Sequence, residues 1–484
     1  MPAVVSHIRF WVIIAFVLLT SSLFSQTFNH SSYSSPNTPV DLFVADLNHD
    51  GKPDIVTPQR SAGMVTVFLN HGDGTFTPGG SSTYVVGASP ILVTVADFNG
   101  DGKPDIATGN CAMDTGTYSV SVLFGNGDGT FQNHVEYSLN ACPNSLGFMH
   151  VGHDSAISLI VSDSGSNLTI LRNNGGGTFT TQIVNGPAGS RLEGASAGDY
   201  NRDGIDDIAA IMGLSQVVIF NGNTSGGFSA PRTVYSLGAT LIAANTVDFN
   251  GDGIGDLLVP YAGLVGSPDS TVGVVALANN GTGSFSAVRL PVDPLYHGGV
   301  KKAAEADLNN DGLHEIILPV ILDQPNAEDA IAVFPGTSRN SWGAPTYIPI
   351  GALSLPDAVA WGNFNGDNLI DFAGVTQNDN FLHVFTSASA VTSCRIPSAP
   401  GVSVCSPAAG TGVLSPVSIA ASANGGALKI TAMKAYLDGR QVAFTSVNTL
   451  TVSVPAAKGS HTLTVNAWNS GGQLFQTVVK FNVQ

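Results

Sequence analysis

Charged residues are scarce in this sequence. Lysine, arginine, aspartate and glutamate make up 11% of its 484 residues, against about 25% in an average globular protein. Basic residues are rarer than acidic ones, 18 against 35. The resulting net charge of −17 argues against a nucleic-acid-binding protein, which would carry a basic stripe. The hydrophobic share of 43% excludes a disordered chain, because it allows a large buried core.

Long stretches without glycine or proline are also scarce. The chain has 56 glycines and 26 prolines, and both residues destabilise the interior of a helix. The sequence therefore predicts an all-β protein.

Hydrophobic runs long enough to matter for a membrane are confined to the N-terminus. His7 and Arg9 precede an apolar run from Phe10 to Leu19, and a small-residue stretch ends at Ser25. This pattern predicts a signal peptide over residues 1–25. A membrane anchor is the alternative, but the run is short for a bilayer. We expect a secreted or cell-surface protein with no membrane span after signal peptide removal.

Cysteine is rare, with four in the chain. An exported protein with an even cysteine count favours disulfides. Of the three possible connectivities, we predict the one that pairs cysteines near in sequence, Cys111 with Cys142 and Cys394 with Cys405. A zinc site is the alternative, but no CxxC pair is present.

A nine-residue acidic motif recurs along the first three quarters of the chain. Its pattern is D-x-N-x-D-G-x-x-D, and the copies begin at Asp46, Asp97, Asp199, Asp248, Asp307 and Asn363. The spacings are 51, 102, 49, 59 and 56 residues, so the second gap is about two periods wide. One copy of a repeat of about fifty residues has lost its motif.

A glycine-rich turn followed by an aromatic residue marks the same repeat. Phe76, Phe131, Phe179, Phe228, Phe285 and Trp342 follow such turns, and most lie about twenty residues before the next motif. Phe131 thus predicts a loop near Val151, where the acidic pattern is absent. The repeat count becomes seven.

Each repeat contains four short apolar runs of strand length. Seven such units predict a seven-bladed β-propeller over residues 26–388; a solenoid is the alternative. The last unit lacks its fourth strand, so we expect the segment around Phe28 to pair with residues 380–388 and close the ring. Residues 389–404 resemble a linker, and the alternating strands of residues 405–484 predict a small Ig-like β-sandwich.

The acidic motifs have the composition of calcium loops. Positions 1, 3, 5 and 9 carry oxygen ligands, and glycine at position 6 allows a sharp turn. Position 12 lacks the glutamate of an EF-hand. We predict about five or six Ca²⁺ sites, with the weakest at Asn363 and none near Val151. The predicted ligands are Asp46, Asn48, Asp50, Asp54, Asp97, Asn99, Asp101, Asp105, Asp199, Asn201, Asp203, Asp207, Asp248, Asn250, Asp252, Asp256, Asp307, Asn309, Asp311, Glu315, Asn363, Asn365, Asp367 and Asp371.

These motifs, each followed by a strand and a GDGTF-type turn, resemble the FG-GAP or VCBS repeats of integrin-α-like propellers. The resemblance implies a loop between the first two strands of each blade that binds Ca²⁺. Residues 405–484 resemble a bacterial Ig-like domain. The family includes adhesion receptors, lectin-like binders and extensions of enzymes, so the resemblance alone does not fix a function.

The remaining long loops fall on the face opposite the acidic loops. Loops on a rigid scaffold are common binding sites. We predict an extracellular binding or adhesion module for a glycan or protein ligand; the alternative is a carbohydrate-active hydrolase or lyase using this same face. No HExxH or GxSxG motif is present, and we assign no catalytic residue. The candidate ligand-binding residues are Tyr118, Tyr261, Asp269, Tyr296, His297 and Asp323.

Overall fold

The computed structural model describes most of the chain beyond the predicted signal peptide. The described residues are 27–35, 37–77, 82–164, 167–188, 190–263, 272–292, 296–297, 302–309, 311–322, 328–352, 356–367, 369–376, 380–388, 396–407, 412–413, 417–454, 456 and 458–483. The signal peptide predicted over residues 1–25 lies outside them. So do Asp269, Asp323 and Cys394.

All regular structure in the described residues is β, as the glycine and proline content predicts. The strands of the repeat region are β1 Thr27–Ser34, β2 Phe43–Ala45, β3 Asp54–Gln59, β4 Met64–Phe68, β5 Thr83–Val85, β6 Pro90–Ala96, β7 Asp105–Ala112, β8 Thr117–Leu123, β9 Val135–Ser138, β10 Pro143–His150, β11 Ile157–Asp163, β12 Asn167–Asn173, β13 Phe179–Asn185, β14 Leu192–Gly198, β15 Asp207–Met212, β16 Gln216–Phe220, β17 Arg232–Ser236, β18 Thr240–Leu241, β19 Asn245–Val247, β20 Asp256–Ala262, β21 Gly273–Asn279, β22 Phe285–Pro291, β23 Tyr296–His297, β24 Ala304–Ala306, β25 Glu315–Leu322, β26 Glu328–Phe334, β27 Gly336–Ser338, β28 Ser341–Trp342, β29 Thr346–Ala352, β30 Pro356–Gly362, β31 Asp371–Thr376 and β32 Phe381–Ala388.

These strands form antiparallel sheets that follow the sequence repeat, which is consistent with a propeller-like fold. Within the described residues we number them in chain order: sheet one is β2–β5, sheet two β6–β9, sheet three β10–β13, sheet four β14–β17, sheet five β18–β22, sheet six β23–β26 with β29, and sheet seven β30–β32 with β1. In sheets five and six the first strand is split in two.

The N-terminal strand belongs to the last sheet. β1 pairs antiparallel with β32, and Phe28 lies opposite Ser387. Phe28 also packs edge-on against Phe372 of β31, with ring centroids 4.9 Å apart. Both ends of the repeat region therefore contribute strands to one sheet.

Hydrophobic cores lie between neighbouring sheets. Six clusters of buried apolar residues in the repeat region each draw on two sheets that are consecutive in the chain. One cluster instead joins the first sheet to the last, where Leu42 and Phe68 pack with Phe364 and Leu382. Strands buried on both faces explain the near-continuous apolar runs of the sequence.

The aromatic residue after each glycine turn packs against the preceding sheet. Trp342 contacts Phe249 at 5.2 Å and Phe285 contacts Tyr200 at 6.0 Å between ring centroids. Phe249 and Tyr200 occupy position 2 of an acidic motif. The two sequence landmarks recur in phase because their side chains meet across each sheet interface.

The remaining strands form two sheets packed around one core, the arrangement of a β-sandwich. Its first strand begins at Gly401, four residues before the predicted boundary at 405. No composition change marks this start. The strands are β33 Gly401–Ser406, β34 Gly412–Val413, β35 Val417–Asn424, β36 Ile430–Leu437, β37 Arg440–Thr445, β38 Thr449–Val454, β39 Gly459–Asn469 and β40 Leu474–Val483.

The predicted disulfide between Cys111 and Cys142 is confirmed. Cys111 lies in β7 and Cys142 directly precedes β10, so the bond ties sheet two to sheet three. Cys405 is also disulfide-bonded, while Cys394, its predicted partner, is outside the described residues. Within the described part of the chain, no helix has the length and hydropathy needed to cross a membrane.

Candidate metal centre

The first acidic loop folds around its own carboxylate and amide oxygens. The backbone N–H of Asp50 donates to Asp46 Oδ1 at 3.1 Å and to Asn48 Oδ1 at 3.0 Å. Asp46 Oδ2 accepts from the N–H of Gly51 at 2.9 Å, and Asp50 Oδ1 accepts from Lys52 at 3.0 Å. Side chains at positions 1, 3 and 5 are thereby drawn to one turn.

Four other loops repeat this network. The position 5 amide again donates to the side chains at positions 1 and 3, and the position 6 amide donates to position 1. Gly51 has φ of 81° and Gly204 also has φ of 81°. This left-handed conformation favours glycine over other residues, which explains glycine at position 6.

The acid at position 9 lies beneath the loop rather than on its surface. Asp54 Oδ2 accepts from the N–H of Leu47 at 2.9 Å, and Oδ1 accepts from Asn70 at 2.8 Å. Asp54 therefore links the end of β2 to the end of β4. The six acids at this position are all fully buried: Asp54, Asp105, Asp207, Asp256, Glu315 and Asp371.

Burial raises the pKa of each position 9 carboxyl, because the charged form loses its hydration. The pKa is raised to about 6 for Asp54, Asp105, Asp207 and Asp371, and to about 7 for Asp256 and Glu315. Neighbouring acids of the same loop also raise these pKa values, Asp46 and Asp50 in the case of Asp54. The carboxylates of one loop, when ionised, therefore repel one another.

The donor set fits a hard cation. Asp256 Oδ2 is buried and has no hydrogen-bond partner, so this oxygen has an unused lone pair beside Asp248 and Asp252. Among the described residues, no three His, Cys, Asp or Glu side chains cluster as a metal site. A bound ion would therefore also need asparagine and backbone carbonyl oxygens, which Ca²⁺ accepts as ligands.

Basic side chains approach three of the loops. Lys52 Nζ lies 3.2 Å from Asp50 Oδ2, and Lys103 Nζ lies 3.7 Å from Asp101 Oδ2. Arg339 donates to Asn250 Oδ1 at 3.2 Å. These contacts are exposed and contribute little energy on their own, but they reflect the negative potential of the loops.

The loop of sheet three is held differently. Its Asp154 pairs with Arg172 at 2.7 Å, and the N–H of His150 donates to Asp206 Oδ2 at 2.7 Å. The buried Ser158 takes the place of the position 9 acid, and its hydroxyl accepts from the N–H of Asn173 at 3.1 Å. The backbone link between the second and third strands is therefore kept without a carboxylate.

The seventh loop keeps part of the network. Asn363 Oδ1 accepts from Gly366 at 2.8 Å, and Asn365 Oδ1 accepts from Asp367 at 3.0 Å. Asp371 accepts from Phe364 and Ser387. Asn368, at position 6, is outside the described residues. The other loops have an acid at both position 1 and position 5. The seventh loop has one only at position 5, Asp367, because position 1 is Asn363.

Of the six predicted ligand-binding residues, the structure describes the side chains of Tyr118 and Tyr261 alone. Tyr261 is fully buried, so its assignment as a surface contact was wrong. Its hydroxyl accepts from Arg289 Nε at 3.0 Å, and the Arg289 guanidinium lies over its ring. Tyr118 is half-buried in β8. Tyr296 and His297 form the two-residue strand β23, and their side chains are outside the described part.

Sequence reasoning missed an axial cavity. Its volume is about 820 Å³, and residues from the first-strand segments of all seven sheets line it, among them Asp41, Phe148, Lys302 and Trp361. The small residues that precede the acidic motifs were the available signal, because they let these segments approach one another. The cavity unites residues more than 300 positions apart, which no local pattern reveals.

The sheets and loops define a repeat protein with a propeller-like fold and a C-terminal Ig domain. Residues 46–108 and 154–210 match the FG-GAP-like repeat family, and residues 400–465 match the bacterial Ig domain family. This confirms the resemblance drawn from the motifs. No curated protein matches the sequence.

Several solved structures are similar to this chain at low sequence identity. BBS1N, from its complex with ARL6DN, is 12% identical with a TM-score of 0.48, covering 75% of this chain and 98% of that one. Rhamnogalacturonan lyase YesW is 15% identical with a TM-score of 0.42, covering 74% of this chain and 75% of that one. The extracellular domain of BT4673 from B. thetaiotaomicron is 10% identical with a TM-score of 0.43, covering 95% and 59%.

Proposed function

We propose that this protein is a secreted, calcium-stabilised, seven-bladed β-propeller that serves as an extracellular binding module for a glycan or protein ligand. Calcium in the acidic loops has a structural role in this proposal, and the Ig-like domain extends the module. FG-GAP-like repeats and bacterial Ig domains are typical of extracellular proteins, and the disulfide between Cys111 and Cys142 fits an oxidising compartment.

The observation that carries the calcium proposal is the contrast between buried acids and Ser158. In sheet three a neutral hydroxyl accepts the N–H of Asn173, so the backbone bond does not need a charge. Six other sheets bury a carboxylate at this place, although burial penalises its ionised form. A cation in the loop offsets that penalty, which explains why a carboxylate occupies this position in six sheets.

The order of the sheet interfaces supports the ring closure that this proposal includes. Six core clusters join consecutive sheets, and a seventh joins sheet seven to sheet one. A solenoid would leave its first and last sheets apart. Closure also removes exposed sheet edges, which are sites of aggregation.

Removal of calcium tests the structural role. A ligand bound only to the folded state stabilises it by about 2.7 kcal/mol per site at one hundred times its Kd. We expect thermal unfolding of the purified protein to occur at a clearly lower temperature with chelator than with excess calcium. Magnesium at the same concentration is the control, because it prefers a smaller octahedral site. Equal melting temperatures with calcium and with chelator would refute the proposal.

A ligand screen tests the binding role. The full chain would be applied to a glycan array and, in parallel, incubated with polysaccharides while reducing ends and unsaturated products are measured. Binding without turnover supports the module. Turnover of a bound polysaccharide would replace it with the carbohydrate-active enzyme, and no binding on the array or to any extracellular protein would reject both.

A further inference from the structure

The axial cavity has the size of a small-molecule site. Its volume of about 820 Å³ lies within the range of about 300–1,000 Å³ that is usual for ligand pockets. The first-strand segments of seven sheets surround it, so its walls are set by rigid elements. A site built on strands holds its side chains more firmly than the long loops of the opposite face.

Two large aromatic side chains of the cavity are exposed. Trp361 in β30 is 45% exposed and Phe148 in β10 is 41% exposed, and both line the cavity. Trp361 lies two residues before the seventh loop and Phe148 three residues before Val151, so both lie toward the acidic-loop end. Exposed aromatic rings in a concave site are typical of ligand contacts.

Packing of the ring does not require these aromatic residues. The positions equivalent to Trp361 in other sheets, two residues before the motif, hold Val44, Val95, Ala197, Thr246 and Glu305. Small and medium side chains therefore suffice to bring the first strands together. The aromatic surface at Trp361 and Phe148 is additional to what the fold needs.

The charged groups of the cavity are paired, although the chain as a whole carries a charge of −17. Lys302 Nζ lies 3.1 Å from Asp41 Oδ1, and Asp41 also accepts from the N–H groups of Leu42 and Val93. Glu305 is hydrogen-bonded to His314. Among the described lining residues the one basic group, Lys302, is already paired with Asp41, and each acid has a hydrogen-bond partner, which favours a neutral ligand over an anionic one.

Polar groups with unused hydrogen-bonding capacity border the same space. The side-chain amide nitrogens of Asn144 and Asn245 are buried and have no acceptor in the protein, and both residues line the cavity. An unpaired buried donor is costly. Rotation of either amide toward the cavity would let a ligand hydroxyl oxygen accept its hydrogen bond.

From this combination we infer that the axial cavity binds a neutral saccharide, whose ring stacks on Trp361 and Phe148 and whose hydroxyl groups bond to the amides of Asn144 and Asn245. The inference rests on the proposed binding function and names its site and ligand class. A saccharide fits because its rings have apolar faces rimmed by neutral hydroxyl groups. A charged peptide or a uronate would leave its charge unpaired in this cavity.

Exposed aromatic positions allow a direct test in the full chain with calcium present. The probes are neutral cello-, xylo-, malto- and chito-oligosaccharides, with oligogalacturonate as the charged comparison. Trp361→Ala and Phe148→Ala should each weaken binding of the neutral probe by about tenfold or more, equivalent to about 1.4 kcal/mol. The matched control is Phe444→Ala, since Phe444 is 59% exposed in the Ig-like domain and lies outside the cavity.

Tryptophan fluorescence gives a second readout. A saccharide stacked on Trp361 should change the emission of the parent protein, and Trp361→Phe should bind with similar affinity but lose most of that change. All variants should unfold at the parent's temperature, because the replaced side chains are exposed.

The outcomes separate this inference from the function on which it rests. Neutral-probe binding that survives both alanine substitutions, or binding of oligogalacturonate alone, would overturn the axial site and leave a glycan-binding module in place. Failure of the parent protein to bind any glycan or extracellular protein would instead overturn the proposed function.

Discussion

Sheet one and sheet three use different side-chain groups to link the second strand to the third. In sheet one the buried Asp54 accepts the backbone N–H of Asn70 and also that of Leu47. In sheet three the hydroxyl of Ser158 accepts the N–H of Asn173, and the loop above it is held by the ion pair of Asp154 with Arg172. Both sheets keep the link, but only sheet one buries a negative charge.

The difference separates what the fold requires from what the loop adds. For its link to the third strand, the fold requires only an acceptor at the start of the second strand, and a hydroxyl is enough. The carboxylate has a raised pKa because it is desolvated, so it is tolerated rather than favoured by the fold alone. The excess negative charge of the motif sheets is therefore what supports the proposed cation binding.

Sheet three also differs in how it is fastened to its neighbour. The disulfide between Cys111 and Cys142 joins it to sheet two, and the cysteines are 31 residues apart. The sheet without an acidic loop thus carries a covalent tie. We expect the covalent tie and the loops to contribute separately to stability.

Loss of the disulfide should have the largest effect. Replacing both Cys111 and Cys142 by serine should lower the free energy of unfolding by about 3 kcal/mol, because a cross-link restricts the unfolded chain. Chemical denaturation measures the change, with Asp114→Ser in the same exposed hairpin as the control. The response to calcium should stay as in the parent protein; a lost calcium response would mean that the two devices are coupled.

Removing one buried charge should abolish the contribution of one loop. Asp256→Asn keeps the side-chain size and its bond to Asn279, but replaces the unpartnered oxygen by a neutral group. With calcium at one hundred times its Kd, we expect stability to fall by about 2.7 kcal/mol. With chelator, the variant should equal or exceed the parent, because less charge is desolvated.

Asp128→Asn is the matched control for this change. Asp128 is an exposed acid in a glycine turn and accepts the N–H of Thr130 at 2.9 Å. Its replacement should leave the calcium response intact. If Asp256→Asn destabilised the protein equally with calcium and with chelator, the carboxylate would be serving the fold alone.

The pH dependence of stability should change sign with calcium. The position 9 acids have folded pKa values of about 6 or 7, above the unfolded values of about 4. Without metal, their contribution to stability is present below about pH 4 and is lost as pH rises through 6 to 7. With calcium, which binds the ionised form, stability should rise over the same interval.

Urea unfolding at several pH values, with chelator and with calcium, would measure both trends. Sheet three has no position 9 acid, so a Ser158→Ala variant should keep the parent's slope in each series. Parallel curves with and without calcium between pH 5 and 7 would contradict the assignment.

The seventh loop should respond most weakly. Asn363→Asp restores the usual acid at position 1, which accepts backbone N–H groups in the other loops, and adds charge for a cation. We expect a modest increase in calcium-dependent stability, smaller than the loss in Asp256→Asn. Differential scanning calorimetry at low calcium measures it, with Asn365→Asp as a comparison at position 3. An unchanged melting temperature would mean that this loop binds no calcium.

Much of the fold could be predicted from the sequence because its determinants are local and repeated. The nine-residue acidic motif forms its hydrogen bonds within itself, so composition and spacing sufficed to place the loop, its glycine turn and the strands on either side. The aromatic after each glycine turn gave the phase of the repeat, and neighbouring cysteines gave the pairing of Cys111 with Cys142.

The tertiary structure decided what depends on residues distant in the chain. Tyr261 was expected to be an exposed loop residue because of its residue type and its place after a strand. It is buried, because the sheet interface and Arg289 enclose it. The acid at position 9 was expected simply as a ligand, whereas its bonds to the third strand become visible only after the strands pair. Trp361 and Phe148 line a common cavity although they are more than 200 residues apart in the chain, and no local sequence pattern reveals that they do.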